Sequence, residues 1–383
     1  METLAPILER LQAEPLWHAS LGSRELFHSN MLAWIADRFP AETKVTFAPW
    51  LERASASIAQ APSREALHFD LVIQLGGYAP LIIENKMYAL PDEEQLRRYT
   101  ARAIKRFVHP SLVLLSLTNP GWPGASYDVD GHRWRWVSYG DLAKRLLGRL
   151  PPEPGGFKEE VLSHYAQLVE LVQAVADQVD IHDQGERLLL PTTVHEALRE
   201  VRMTDFAGKL RAYRAGRLIK QLLTGSSGTN VRTWANFSNG SPVLEAFSEL
   251  PGGDEVGWQY QANQWRLTLI LPSLSGRSDE DRARREARAR EMMSWFDFGP
   301  FVEIMGPAAA TPSRAEIRQE FNHYAPDMVY RYRRLDHPTV TQLVELAIAC
   351  DARARDFGAA PRSRAPVWGG VTARPVIDRA PKV

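Results

Sequence analysis

His68-Phe69-Asp70-Leu71-Val72-Ile73-Gln74-Leu75-Gly76-Gly77-Tyr78-Ala79-Pro80-Leu81-Ile82-Ile83-Glu84-Asn85-Lys86 consists of two apolar runs joined by a Gly-Gly step. The runs have the length and β-branched content of strands, and paired glycines between them spell a hairpin turn. Asp70, Glu84 and Lys86 interrupt this apolar texture. A charge on a buried strand is costly unless a metal or a partner compensates it. Side chains alternate along a strand, so Glu84 and Lys86 share one face with Ile82, while Ile83, Asn85 and Met87 point the other way. On the preceding strand Asp70 shares a face with Val72 and Gln74, and the hairpin lays it close to Glu84 or Lys86. Two carboxylates that close raise one another's pKa unless a cation sits between them. Mg²⁺ (or Mn²⁺) suits such a pair, because it takes oxygen ligands and often binds through one or two carboxylates plus a substrate phosphate. Lys86 would then orient or help deprotonate a water, or neutralise charge developing on phosphorus.

The strands and helices around this hairpin predict a mixed sheet with helices on its faces. Helices are expected over residues 3–18 and 24–38, a helix and a first strand within 41–66, and strands over 67–75 and 81–87. A helix opened by Pro91, with Asp92, Glu93 and Glu94 in its first turn, follows through about Phe107. Strands over 111–118 and 133–139, a helix over 141–150 and a long amphipathic helix over 157–179 complete the first half. The expected domains are residues 1–185, then a smaller α/β domain over 186–357 with a helical connector to about 225, then a disordered tail over 358–383. In the second half, helices are read at 193–201 and 206–223, a Gly/Ser break at 225–228, and strands at 231–237, 256–260 and 264–271. A charged helix at 278–296, the segments 301–305 and 327–332, and a final helix at 339–357 follow.

Bulk composition limits the function classes. Among 383 residues, Lys+Arg and Asp+Glu each total 46, so net charge does not advertise a nucleic-acid partner, and attraction for phosphate has to be local. One cysteine, Cys350, excludes disulfide frameworks and cysteine zinc sites and fits a reducing, cytoplasmic setting. Met1–Ala13 has no apolar signal core, and no run reaches the roughly 18 apolar residues of a membrane span, so no membrane partner is expected. No phosphate-cradling glycine loop or nucleophile elbow is present.

Three further pairs extend the constellation. Gln95 and Tyr99 are i, i+4 on the helix after the second strand, and Glu25 and His28 are i, i+3 on the early helix. Glu25 would complete metal coordination; His28 would bind phosphate, bind metal or orient Glu25. The structural alternatives are a salt-bridged strand end for Asp70, Glu84 and Lys86, helix packing for Gln95 and Tyr99, and a packed histidine for His28.

Asp70, a 13-residue gap and Glu84-Asn85-Lys86 resemble the D…(D/E)-x-K signature of the PD-(D/E)XK nuclease superfamily. Gln95-Leu96-Arg97-Arg98-Tyr99 is similar to the Q-x-x-x-Y motif of its RecB-like members. Glu25-Leu26-Phe27-His28-Ser29-Asn30-Met31-Leu32-Ala33-Trp34 is similar to the opening helix of a bacterial subgroup with an E-x-x-H-S-x-x-L-A-W pattern. The resemblance covers about residues 20 to 120, and Phe69 stands where the superfamily often has proline. It implies a restriction-endonuclease-like α/β core, a mixed sheet of about four strands flanked by helices. It implies that Asp70, Glu84, the main-chain carbonyl of Asn85 and Glu25 hold Mg²⁺ or Mn²⁺, and that Lys86 serves the nucleophilic water. The function implied is a metal-dependent deoxyribonuclease acting in defence against foreign DNA, working as a homo-oligomer or with an activating protein partner. The alternative is an inactive nuclease-fold protein that binds nucleic acid or scaffolds another protein.

Outside this region, Arg282, Arg284, Arg285, Arg288 and Arg290 alternate with acids and read as a solvated helix face. Arg331, Arg333 and Arg334 beside Tyr330 and Tyr332 read as an edge strand or a stacking surface, and Trp122, Trp134 and Trp136 as sheet packing.

Overall fold

The structure, a computed structural model, describes residues 3–23, 25–52, 60–64, 69–89, 93–122, 124–149, 155–227, 232–238, 241–307, 311–312, 317–324 and 326–358. The expected tail from 359 onward, and Pro91 and Asp92 of the expected helix start, lie outside these residues. The chain divides into two compact units. One comprises residues 1–218 with 235–244 and 337–343; the other comprises 219–234, 245–336 and 344–383.

The first unit opens with four helices, α1 (Leu4–Ala13), α2 (Pro15–Ser20), α3 (Glu25–Arg38) and α4 (Pro40–Phe47). Strands β1 (Gln60–Arg64), β2 (Leu71–Gln74) and β3 (Leu81–Lys86) follow, then α5 (Glu93–Arg106), β4 (Ser111–Ser116), β5 (Ser126–Val129) and β6 (His132–Ser138). Helices α6 (Tyr139–Leu147), α7 (Phe157–Val179) and α8 (Thr192–Glu200) follow, with α9 (Thr204–Ser227), whose residues to 218 belong to this unit. The six strands form one mixed sheet in the order β1-β2-β3-β4-β6-β5. Pairs β1–β2, β2–β3 and β5–β6 are antiparallel, whereas β3–β4 and β4–β6 are parallel. Strands β3 and β4 are parallel because α5 crosses between them; β2 and β3 are antiparallel because only a tight turn joins them. Tyr78 N–H donates to Leu75 O at 3.0 Å across that turn, and Gly77 sits at φ +81°, where an L side chain is strained.

Strand alternation sorts the sheet into two buried faces. Leu71, Ile73, Leu81, Ile83 and Met87 pack with α1, α3, α6 and α7 residues such as Leu11, Leu32, Leu142 and Val172. Val72, Ile82, Leu112, Leu114 and Trp134 pack with Leu96 and Ala103 of α5. Ile82 and Ile83, adjacent in sequence, are both fully buried on opposite faces. Truncating either to alanine is expected to cost about 2–5 kcal/mol. The sheet holds six strands against the five read from the sequence and the about four that the resemblance implies; β5, at one edge, is the strand not expected. The α7 bounds match the amphipathic run, whereas α9 continues through Ser227, into the stretch read as a Gly/Ser break.

The second sheet comprises β7 (Arg232–Ser238), β8 (Ser241–Glu249), β9 (Glu255–Gln261), β10 (Gln264–Ile270), β11 (Asn322–Tyr324) and β12 (Met328–Arg334), in the order β11-β12-β10-β9-β8-β7. Strands β9 to β12 belong to the second unit, whereas residues 235–244 of β7 and β8 belong to the first. The helices are α10 (Asp279–Glu291), α11 (Val302–Met305) and α12 (Val340–Asp356). The arginines of α10 are not uniformly solvated. Arg285 is buried and donates to Leu274 O and Gly276 O, because it lies on the helix face turned toward that loop. Arg282, Arg284, Arg288 and Arg290 all pair with carboxylates. On β12, Arg333 stacks 4.6 Å from the Phe298 ring and Arg334 pairs with Asp336. In the first unit Trp134 donates to Thr100 Oγ1 at 2.8 Å, as sheet packing predicts.

Candidate active site

The β2–β3 register runs Ile73↔Leu81, Val72↔Ile82 and Leu71↔Ile83, so one step further sets Asp70 across from Glu84. Directly opposed residues of an antiparallel pair have side chains on the same face. The Asp70 carboxylate accepts the Asn85 backbone N–H at 2.8 Å, which holds the first acid against the end of β3. Lys86 Nζ lies 2.7 Å from Glu84 Oε1. The three side chains therefore meet on the α5 face of the sheet.

From α5, Gln95 Nε2 donates to Glu84 Oε1 at 2.8 Å and also reaches the Tyr99 hydroxyl at 3.2 Å. Helical spacing places these two residues on one side of α5, as the sequence pattern predicts. Glu84 Oε1 thus receives two donors. Glu84 Oε2, on a fully buried residue, has no hydrogen-bond partner. Burial, reinforced by the neighbouring Asp70 charge, pushes the Glu84 carboxyl up to about 8, although Lys86 opposes the shift. Burial pulls the Lys86 ammonium down, but Glu84 and Asp70 outweigh it, so its pKa is raised and Lys86 stays protonated at neutral pH. Burial, with Glu84 adding to it, also raises Tyr99, which keeps its phenolic proton.

Glu25 takes a role different from the expected metal ligation. Its Oε2 accepts Met87 N–H at 2.7 Å, and its Oε1 accepts Tyr88 and Ala89 N–H, each at 2.7 Å. Both oxygens are thereby engaged in clamping the chain just after Lys86. Burial raises its pKa against the opposing pull of those three N–H groups. His28, expected beside the phosphate or metal, lies instead in an aromatic nest formed by Phe27, Tyr88, Tyr139 and Tyr165. It is fully buried, its Nδ1 lies 3.4 Å from the Tyr165 hydroxyl, and burial holds it down at about 3, so it is neutral. The correction has a simple cause: i, i+3 spacing brings Glu25 and His28 to neighbouring sides of α3, but His28 lies a turn deeper, beneath the sheet.

Sequence reasoning missed the side chain of Asn85. It points to the face opposite Glu84 and donates from Nδ2 to Glu25 O at 3.1 Å and to Ser29 Oγ at 2.9 Å. Its Oδ1 accepts from the Tyr139 hydroxyl. The S of the E-x-x-H-S pattern carried a signal for Ser29; nothing local marks Tyr139, which meets Asn85 only through the fold.

A divalent cation fits the residues present. Two facing carboxylates supply oxygen ligands, and once Glu84 is ionised they carry one more negative charge than Lys86 offsets. Among the described residues no group of three or more His, Cys, Asp or Glu side chains is placed to share an ion. Side-chain donors to an ion at this corner would be the Asp70 and Glu84 carboxylates. The described helices include none long and apolar enough to cross a membrane. No family model, curated protein or solved structure matches this chain.

Proposed function

We propose that the chain is a metal-dependent nuclease of the PD-(D/E)XK type, hydrolysing phosphodiester bonds of DNA. One observation carries this reading: the buried Glu84 carboxylate, with one oxygen unpartnered, lies beside Asp70 and Lys86 at the end of adjacent strands. A structural salt bridge needs one acid per lysine, and here two acids face one. The second acid and the orphaned oxygen are explained by a ligand that brings positive charge. The mixed sheet with α5 crossing from β3 to β4 supports a restriction-endonuclease-like core.

Asp70 and Glu84, with the Asn85 carbonyl, would hold Mg²⁺ or Mn²⁺, which when bound supplies Lewis acidity at the phosphate. The chain's own groups do the rest. Lys86, protonated, donates to the attacking water or to a non-bridging oxygen, and offsets charge as water oxygen bonds to phosphorus and the ester oxygen leaves. Its raised pKa favours this charge-bearing role over that of a base. Gln95 fixes the Glu84 carboxylate by donating to Oε1, and Tyr99 in turn receives Gln95. A role in defence against foreign DNA is consistent with the resemblance and rests on it alone.

The test is incubation of purified protein with plasmid, linear and single-stranded DNA and with RNA, in Mg²⁺, Mn²⁺ or EDTA. Cleavage of DNA that requires metal and is lost in Lys86→Ala is expected. Absence of cleavage in every metal, or equal activity of Lys86→Ala, refutes the reading and leaves the non-cleaving scaffold.

A further inference from the structure

The cations of α5 are distributed unlike those of the rest of the chain. Lys+Arg and Asp+Glu balance over the whole sequence, yet from Arg97 to Tyr127 there is no Asp or Glu at all, while α5 carries Arg97, Arg98, Arg102, Lys105 and Arg106. Leu96, Thr100 and Ala103 bury the opposite flank of the helix. Gln95, Tyr99, Arg102 and Arg106 recur at i, i+4, i+7 and i+11, which is one stripe of a helix with 3.6 residues per turn. Arg98 and Lys105 adjoin that stripe on its solvent side, and all four of these cations are exposed.

The stripe begins at the site. Gln95 touches Glu84, Tyr99 comes next, and the Arg102 guanidinium lies 5.8 Å from the Tyr99 ring. The helix dipole accounts for Lys105 and Arg106 in the last turn, but not for Arg98 and Arg102 in the turns before it. Helix α10 is the internal contrast: equally rich in cations, it pairs Arg282, Arg284, Arg288 and Arg290 with acids. On α5 Arg98 pairs with Glu94, and no acid follows in the sequence before Asp128.

We infer that the Arg98–Arg102–Lys105–Arg106 face of α5 is a track for the DNA phosphate backbone, leading the strand to and from the Glu84–Lys86 corner. The inference rests on the nuclease reading for its substrate and adds the path that substrate takes. At about 1.5 Å per residue, Arg102 and Arg106 stand about 10 and 16 Å along the helix from Gln95. Phosphates of one duplex strand advance about 3.4 Å per nucleotide along the axis. The track therefore engages phosphates about three to five positions from the one at the corner.

Binding of the wild-type protein to a labelled DNA duplex of about two helical turns, in EDTA, is measured by anisotropy between about 50 and 200 mM salt. Each phosphate contact contributes about 0.9 to the slope of log affinity against log salt. Replacing Arg98, Arg102, Lys105 and Arg106 together by glutamine is expected to flatten the slope by about three and to weaken binding roughly tenfold or more. Arg102→Gln and Arg106→Gln singly are expected to remove about one each, which keeps the test alive should the quadruple variant fail to fold. Replacing Arg282, Arg284, Arg288 and Arg290 on α10 together by glutamine is the charge-matched control and should leave the slope in place. An unchanged slope in the α5 variants, or an equal loss in the α10 control, overturns the track. Equal cleavage by Lys86→Ala and wild type in Mg²⁺ sinks the nuclease reading without touching this binding measurement, so the two failures are told apart.

Discussion

The two faces of the sheet at the end of β3 treat buried polar groups in opposite ways. Beneath the sheet, Asn85, Glu25 and Ser29 form a closed network: Glu25 receives three N–H groups, and Asn85 uses both its amide nitrogen and its oxygen. Above it, on the α5 side, Glu84 keeps an oxygen without a donor, and two carboxylates share one ammonium. An unpartnered atom does not by itself set the upper face apart, since His28 Nε2 below the sheet also lacks a partner; what does is a second carboxylate beside a single ammonium. On the proposed nuclease reading, the closed face is architecture and the open face is where the chemistry takes place.

Substitutions that act on one face alone test this contrast. The largest effect is expected on the open face: Asp70→Asn, Glu84→Gln and Lys86→Ala should each lower the DNA cleavage rate by about 10²-fold or more. The melting temperature should stay near wild type, and Mg²⁺ should raise it in wild type but not in Asp70→Asn or Glu84→Gln. Parallel losses of rate and stability would erase the distinction. On the closed face, Glu25→Ala should cost about 2–4 kcal/mol in urea unfolding, because three N–H groups lose a charged acceptor.

A third measurement concerns His28. Burial holds its pKa at about 3 in the folded chain, against 6.5 for an exposed imidazole. The unfolded chain therefore binds a proton that the folded one refuses. Its contribution to stability is present above pH 6.5 and is lost as pH falls toward 3, by up to about 1.4 kcal/mol per pH unit. His28→Phe should flatten that part of the pH–stability curve, and an unaltered curve would remove His28 from the closed face. The smallest effects are expected where the open face is merely braced. Gln95→Ala should slow cleavage about fivefold, the value of one net hydrogen bond, and Tyr99→Phe less. Both should act on kcat more than on KM.

The hairpin and its charges were legible because their signals are local. Gly76-Gly77 marks the turn, and a period of two assigns Glu84 and Lys86 to one face. The long helix α7 was equally plain in its apolar spacing. Strand β5, Ser126–Val129, was missed because its residues are mostly exposed and polar, and it forms the sheet edge. Strand β8 was missed because Pro242 stands near its start, and proline argues against a strand reading. The role of Glu25 depends on N–H groups 62 to 64 residues away. Spacing on α3 gives its direction, but only the fold supplies those partners. Arg285 was grouped with its neighbours because arginine in a charged run gives no local sign of burial.

Asn85 has one further consequence. Sliding β3 by a single residue against β2 and β4 would exchange the two faces, carrying Glu84 under the sheet and Asn85 above it. The apolar neighbours resist such a slip weakly, since Ile82 and Ile83 are nearly interchangeable. What forbids it is the side chain sitting between the two charged residues of the strand, whose amide matches the groups below and nothing above. Asn85 thus acts as an alignment key: its side chain decides which of two consecutive residues lies on the α5 side of the sheet.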